Sequence, residues 1–545
     1  MIERELKLHV PTAARAGIGK ALRARKAKKI SLQARYFDTP ARDLANAQIA
    51  LRLRLEGKQW MQTIKCPGPD TLSRIELNHP RPEPTLDLSV YKGTHIGAIL
   101  TRLKKPLALR FETRVTRLVL LVETPQAVVE LAYDQGAVCA NDLELPISEL
   151  EFELISGDST NIFTMAQEWT EQYGLILDLR SKAERGDTLA KIAQDIQDSN
   201  LSADKHASAP IAESDESAAT RIAEQLARPR RASSANLNAK MSVDQAYLAC
   251  ANECLIQIIR NATFVAGVDT ANTTDALQAE YIHQLRVAIR RLRSCWRLFN
   301  GWVPSVDESL SASLNQNFKS LGESRDIDVI KLEIAPQLES ANMPQCALPA
   351  GNAGAQNETT IAARPEFQTT LIQLLATLVT QGDTATSVKQ PIAGRKKAAT
   401  GKASSGKTPT GAPASAFPLK RELRKRLNDW LQKAVSQGVH FEKLTIEEQH
   451  DLRKMIKRLR YSLDFSEGAV SAPGWERLHS MLTQIQQVLG NLNDFYMAEH
   501  FYAALIPAQP QAWFAIGWLR AMQHQQKAHA QIAFKQLAKL DLLKA

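Results

Sequence analysis

At 545 residues the chain is too long for one hydrophobic core, and its 44% apolar and 23% charged residues exclude a fibrous or wholly disordered protein and suggest two to four globular domains. The net charge of +10 points to anionic partners, but residues 1–200 carry 28 Lys and Arg against 26 Asp and Glu, so most of the excess falls in the remainder, 40 against 32. The six cysteines (Cys66, Cys139, Cys250, Cys254, Cys295, Cys346) form no CxxC pair, and the longest aliphatic run, LVLLV at 118–122, is far below the ~20 residues that span a bilayer, so a zinc ribbon, a disulfide framework and a membrane helix are all excluded. An acidic start without a signal-peptide pattern leads to the expectation of a reduced, cytoplasmic setting.

The first predicted strand is MIERELKLHV, in which Glu3, Glu5 and Lys7 alternate with apolar or larger residues. In a strand these three share one face. A helix is expected over 12–28, then a strand ending in YFDTP (36–40). ALRLRLEGKQWMQTIK reads as a hairpin turning at EGKQ, with Arg52 and Arg54 on one face, Leu51, Leu53 and Leu55 on the other, and Lys65 on the returning strand. The pattern continues with Arg74 and Glu76 in SRIEL and with Arg110, Glu112 and Arg114 in LRFETRV. It ends with Glu130 and Asp134 in VVELAYDQG and Glu149, Glu151 and Glu153 in SELEFELI. Any one such face reads as solvated. Their number, and their mixture of clustered acids with clustered bases, suggest instead a sheet closed into a barrel with a hydrated, charged interior and with apolar outer faces under helices such as 12–28 and 159–173.

Residues 196–240 are rich in Ser, Ala and Asp and read as a linker. Beyond it the periodicity is helical, with Cys250 and Cys254 one turn apart as core residues. HQLRVAIRRLR (283–293) recurs as HDLRKMIKRLR (450–460), and LGESRD (321–326) as LGNLND (489–494), so two related bundles over about 241–380 and 419–545 are expected around a basic, disordered insert at about 384–418. On the first of these helices His283, Arg286, Arg290, Arg293 and Arg297 fall on one arc, apart from the stripe of Leu285, Ile289, Leu292, Trp296 and Phe299. His450, Arg453, Lys457 and Arg460 repeat the row. A row of cations without interleaved aromatics suits a flexible phosphate chain better than base-specific nucleic-acid recognition, and no second ligand stands at the spacing a histidine metal site needs.

Glu3-x-Glu5-x-Lys7, YFDTP, the Arg52/Arg54 pair, Lys65, ELEFE and SKAERG (181–186) together resemble the CYTH superfamily, the triphosphate tunnel metalloenzymes, and the paired His/Arg helices resemble the CHAD domain. The tandem order resembles bacterial inorganic triphosphatases. The resemblance implies an α+β chain: an eight-stranded antiparallel barrel over 1–195, the linker, and an all-α, duplicated CHAD domain over 241–545. It implies Mg2+ or Mn2+ held by Glu3, Glu5, Glu130, Asp134, Glu151 and Glu153. Lys7, Arg52, Arg54, Lys65, Arg74, Arg110, Arg114 and Lys182 would contact the phosphates, and Glu3, Glu5, Lys7, Arg52, Arg54 and Lys65 would carry catalysis.

The expected reaction is metal-dependent hydrolysis of inorganic triphosphate. The helical half would bind polyphosphate through His283, Arg286, Arg290, Arg293, His450, Arg453, Lys457 and Arg460, with no membrane and no specific nucleic acid as partner. Association with polyphosphate granules would follow from that binding. The alternatives are a catalytically silent polyphosphate-binding protein, or a CYTH enzyme acting on thiamine triphosphate or a nucleoside triphosphate, including as an adenylate cyclase. Residues 1–200 are expected to fold and act alone, since the linker has few apolar residues with which to form an interface.

Overall fold

The computed structural model describes residues 2–203, 215–321, 329–348, 358–387, 418–470 and 473–540. Two compact units divide the chain, one of residues 1–231, 256–285 and 358–386, the other of 232–255, 286–357 and 387–545.

In the first unit β1 (Ile2–His9), β2 (Lys28–Asp38), β3 (Ala50–Glu56), β4 (Gln59–Pro67), β5 (Ser73–Arg81), β6 (Ala108–Glu123), β7 (Ala127–Ala140) and β8 (Leu143–Gly157) form one antiparallel sheet in the order β5-β4-β3-β2-β6-β7-β8-β1. Pairing of β1 with β5, Glu3 opposite Arg74, closes it into a barrel. The two-residue β9 (Ile176–Leu177) pairs with the end of β1. Two-residue turns set the β3–β4 and β7–β8 registers, with Gly57 (φ +64°) and Asn141 (φ +48°) in the left-handed region that such turns require.

Alternation decides what faces in. Glu3, Glu5 and Lys7 line the interior, and the intervening Leu6 and Leu8 are fully buried on the other side of the strand. Helix α1 (Arg15–Ala24) packs against β6, and α2 (Thr160–Tyr173) sets Trp169 edge-on against Phe152 of β8. One end of the interior is filled by α3 (Lys182–Ala203), whose Leu189, Ala190 and Ala193 join Leu32, Tyr36, Phe111, Val115, Val138 and Ile147 in an apolar cluster. Gly186 makes this possible, because a Cβ there would sit 2.1 Å from the Phe111 ring, which itself stacks on Tyr36.

The stretch 196–240 contains the end of α3 and a further helix, α4 (Asp215–Leu226), whose Leu226 packs on the same cluster. Alanine is the strongest helix former, so a Ser/Ala/Asp composition that reads as a linker also suits a helix once one apolar stripe finds a surface. Two longer helices, α5 (Val243–Val265) and α6 (Asp275–Phe299), each contribute to both units. Within the first unit, Thr263 Oγ1 donates to the Leu177 carbonyl and Gln368 Oε1 accepts from the Leu177 amide, both at 2.8 Å and buried. Arg4 pairs with Asp383 at 2.8 Å. The barrel thus shares its packing with segments far beyond residue 200, which removes the physical basis for expecting residues 1–200 to fold unaided.

The second unit is helical. Besides its parts of α5 and α6 it holds α7 (Glu308–Ser320), α9 (Leu419–Gly438), α10 (Ile446–Val470), α11 (Trp475–Leu505) and α12 (Trp513–Leu537), while α8 (Pro365–Ser387) belongs almost wholly to the first. Leucines at helical spacing, Leu423, Leu427 and Leu431 on α9 and Leu452 and Leu459 on α10, make its core. Cys250, Cys254 and Cys295 are fully buried there as free thiols. The basic insert at 384–418, apart from residues 384–387 and 418, and residues 322–326 of LGESRD lie outside the described residues; LGNLND lies on α11. Among the described residues no helix is long and apolar enough to cross a membrane.

Candidate active site

The barrel interior holds a cavity of about 720 Å³ lined by many ionisable side chains, with apolar residues such as Leu32, Ile49, Phe111 and Val115 among them. They fall into two groups. In the first, the Lys182 ammonium, delivered by the first residue of α3, lies 2.6 Å from Asp134 and 2.9 Å from Glu151, and also pairs with Glu149. Arg117 of β6 forks across the same acids, with its Nε 2.6 Å from Asp134 and an Nη 2.6 Å from Glu151. Asp134, Glu149 and Glu151 each offer a carboxylate oxygen within 4.8 Å of the others, all three buried. Strand register explains the grouping: Arg117 pairs with Asp134 across β6–β7, and Asp134 with Glu149 across β7–β8.

In the second group Lys65 lies 2.6 Å from Glu3 and 2.9 Å from Glu76, Arg52 lies 3.7 Å from Glu76, and Lys7 lies 2.9 Å from Glu5. Burial, together with a hydrogen bond to Glu76, pushes the Glu3 carboxyl up to about 9, while Glu76 is held well below the usual range against its own burial by that same bond and by Lys65 and Arg52. The two acids therefore share one proton at neutral pH. Burial and the neighbouring Glu5 push Glu153 up to about 7. In the first group, burial works to raise Glu151, but Lys182, Arg117 and Lys7 overcome it and hold the carboxyl well below its ordinary value. Lys7, Lys65 and Lys182 are all raised, burial notwithstanding, by the carboxylates around them.

The structure brings together nearly all the barrel residues expected from the sequence. The acids Glu3, Glu5, Glu130, Asp134, Glu151 and Glu153 line the cavity. So do Lys7, Arg52, Arg54, Lys65, Arg74 and Arg110, and Lys182 joins them from α3. Arg114 does not: it is exposed on the opposite face, and Glu112 beside it pairs with Arg35 outside. The cause is a β-bulge. Tyr36 pairs with Phe111 but Phe37 with Leu109, so Arg110 is the extra residue, and beyond it Thr113, Val115 and Arg117 face inward. Arg117 was thereby missed, although its Arg-x-x-x-x-x-x-Arg spacing from Arg110 spans one parity change. Glu149 was seen on the right face without being counted among the ligands. YFDTP contributes through structure, Asp38 accepting from the amides of Thr39, Leu44 and Ala45.

In the second unit the electrostatics run the other way. Burial, and then Arg453 and Arg290, lower Lys457 to about 6. Arg453 is lowered by burial and by Arg290, against the opposing pull of Asp494 and Tyr461. These charges come from α6 and α10, so the two repeated helices bring Arg286, Arg290, Arg453 and Lys457 into one field. His450 is exposed on the same helix, its pKa lowered by partial burial and by Lys454 and Arg453. Arg293 lies over the Phe318 ring and shares its field with Arg297 and Arg458. Arg460 is engaged by Gln486 at 2.8 Å and Asp464 at 3.2 Å. His283 stands on α6 within the first unit.

A CYTH domain model matches residues 1–186 and a CHAD domain model residues 249–503. A Haemophilus influenzae protein named inorganic triphosphatase is 35% identical over 158 residues, 28% of this chain and 44% of that protein, so the match spans less than half of the relative's length. Among solved structures, the CHAD domain from the plant Ricinus communis aligns over 58% of this chain and 99% of its own at 23% identity (TM-score 0.43). A candidate adenylyl cyclase of Hippeastrum with a dominant triphosphatase activity aligns over 33% of this chain and 91% of its own at 15% identity (TM-score 0.23).

Proposed function

We propose, for a chain that is a CYTH domain followed by a CHAD domain, that the barrel hydrolyses inorganic triphosphate to diphosphate and phosphate with a divalent metal, and that the helical region binds polyphosphate. The observation that carries the first part is the cavity itself, in which two groups of buried carboxylates are interleaved with cations from strands around the barrel. The named activity of the Haemophilus relative supports the same reading.

The donor set fits a hard cation: Glu3, Glu5, Glu130 and Glu153 line the cavity with carboxylate oxygens, and Asp134 and Glu151 stand beside them, already bridged by Lys182 and Arg117. Mg2+ or Mn2+ held there would supply charge neutralisation for the phosphate oxygens. The chain's own cations do the rest. Arg52 Nε and Arg110 Nε are buried in the lining without a hydrogen-bond partner, as befits donors meant for a ligand oxygen. Lys65, Arg54 and Lys7 extend that cationic surface, and the carboxylates around the two lysines keep them charged despite burial. Arg117 and Lys182, fixed on Asp134 and Glu151, stand beside the charge that develops as the anhydride breaks.

For the helical region the supporting observation is the set of cations that lower one another's pKa, a field that an anion would relieve. Phosphate release from tripolyphosphate, ATP, thiamine triphosphate and long polyphosphate, measured side by side with Mg2+ and with Mn2+, tests the proposal. Tripolyphosphate is expected to be cleaved fastest. No release from any of them would leave a phosphate-binding protein with a silent barrel.

A further inference from the structure

The cavity has a third charged group, apart from the two already described. Arg42, which follows the end of β2, lines it together with Glu184, Asp187, Arg230 and Arg260. Two of these lie beyond residue 186, where the match to the CYTH model ends: Arg230 shortly after α4, and Arg260 on α5, inside the stretch matched by the CHAD model. Both belong to the same compact unit as the barrel.

Their placement is specified by the residues around them. The fully buried Asn261, next to Arg260 in the chain, accepts from the Arg230 amide at 3.1 Å and donates to the Arg230 carbonyl at 2.9 Å, so the backbone that carries Arg230 is fastened to α5 beside Arg260. An Nη of Arg260 donates to Glu184 of α3, and Arg42 holds Asp187, one turn further along α3, through Nε at 3.0 Å and through an Nη. Among the described residues of this group, three guanidiniums stand with two carboxylates. The pairing orients the arginines without using them up. A guanidinium has five N–H donors, and the Arg260 bond to Glu184 engages one Nη. With Glu184 46% exposed and Arg260 21%, that pair is also open to water, where an ion pair is weak and its carboxylate readily exchanged for another anion. Planar forks held this way match the oxygens of a phosphate.

We propose that Arg230 and Arg260 form an outer phosphate subsite of the barrel cavity, which takes the fourth phosphate of a linear chain whose first three lie on the inner cations. A helix of the CHAD region thereby sets which chain lengths the barrel holds. This rests on the reading of the cavity as a triphosphate site.

The test is steady-state cleavage of tripolyphosphate by the full-length protein with Mg2+, with tetrapolyphosphate as competitor. In the wild type the tetrapolyphosphate Ki should lie ~10-fold below the tripolyphosphate KM, as charge-assisted contact to one more phosphate gives. Arg230→Gln combined with Arg260→Gln should raise that Ki ~10-fold and the KM by much less, closing the gap. Arg260→Gln alone should close part of it and, because its ion pair is open to solvent, should leave the unfolding temperature unchanged, which keeps the test open if the double variant fails to fold. Arg35→Gln combined with Arg114→Gln removes the same charge from the outer face and should leave both constants where they are. No gap in the wild type, a wild-type Ki in the folded Arg260 and double variants, or an equal rise in the outer-face control overturns the subsite, while continued tripolyphosphate cleavage keeps the triphosphate reading. A wild type that cleaves no tripolyphosphate removes that reading and the subsite with it.

Discussion

The barrel and the helical unit both gather buried cations, and they handle them in opposite ways. In the barrel every lysine in the cavity is flanked by carboxylates, so Lys7, Lys65 and Lys182 hold their protons more firmly than free lysines do. In the helical unit Lys457 and Arg453 face other cations, and both hold theirs less firmly. The difference separates two kinds of anion site. A compensated site can take a metal and a phosphate chain together, because each ligand meets a group of opposite sign that gives up an existing partner. A site where cations outnumber the acids near them, as Arg286, Arg290, Arg453 and Lys457 do around Asp494, gains from an added anion with little demand on its structure.

The largest effect is expected from cutting the barrel away from the rest. A fragment of residues 1–200 loses Thr263, Asp269 and Gln368, and with them the side chains that bind the Leu177 amide and carbonyl and one of the acids that pair with Arg180 and Arg185; it is expected to lack a cooperative thermal transition, which calorimetry would register. Within the intact chain, replacing Glu3 and Glu5 together by Gln should lower tripolyphosphate turnover by at least ~10², corresponding to ~2.7 kcal/mol of lost transition-state stabilisation. Near-normal rates at saturating metal would place the chemistry elsewhere in the cavity.

On the other side of the comparison, changing Arg286, Arg290, Arg453 and Lys457 to Ala should remove tight binding of long polyphosphate. The slope of log affinity against log salt should shrink by roughly one for each arginine lost. Unchanged affinity would mean that the two repeated helices carry only a solvated face. The smallest effect concerns stability. A lysine whose folded pKa is lowered to about 6 is neutral in the folded protein and protonated in the unfolded chain at pH 7, so stability should rise with pH between about 6 and the usual lysine value of 10.5. Lys457→Met should flatten that rise and lift the unfolding midpoint at pH 7 by ~2–4 °C, about what 1 kcal/mol gives in a unit of this size. An unshifted midpoint would show that Lys457 is better solvated than its neighbours imply.

What the sequence made legible follows from period-two alternation. Wherever a strand runs unbroken, as in Glu3-x-Glu5-x-Lys7 or Glu149-x-Glu151-x-Glu153, parity alone assigns the inner face. Parity fails at Arg110, where one extra residue re-aims everything after it, so the alternation predicts Arg114 inside where the structure has Arg117. Nothing in the residue types announces that bulge; it exists only in the pairing of β2 with β6. Composition misled in a second place. The stretch that forms α4 has the Ser, Ala and Asp content of a linker but gathers its apolar residues on one helical face, which packs at the barrel-end cluster through Leu226.

The central claim is that the buried acids and bases of the barrel form one metal-dependent phosphate site. Its most direct test is phosphate release from tripolyphosphate by the full-length protein, first after exhaustive chelation and then as Mg2+ or Mn2+ is titrated back. Release should be absent after chelation and return along a saturable curve that Glu151→Gln shifts to higher metal. Full release under chelation, or none at any metal concentration, would contradict it.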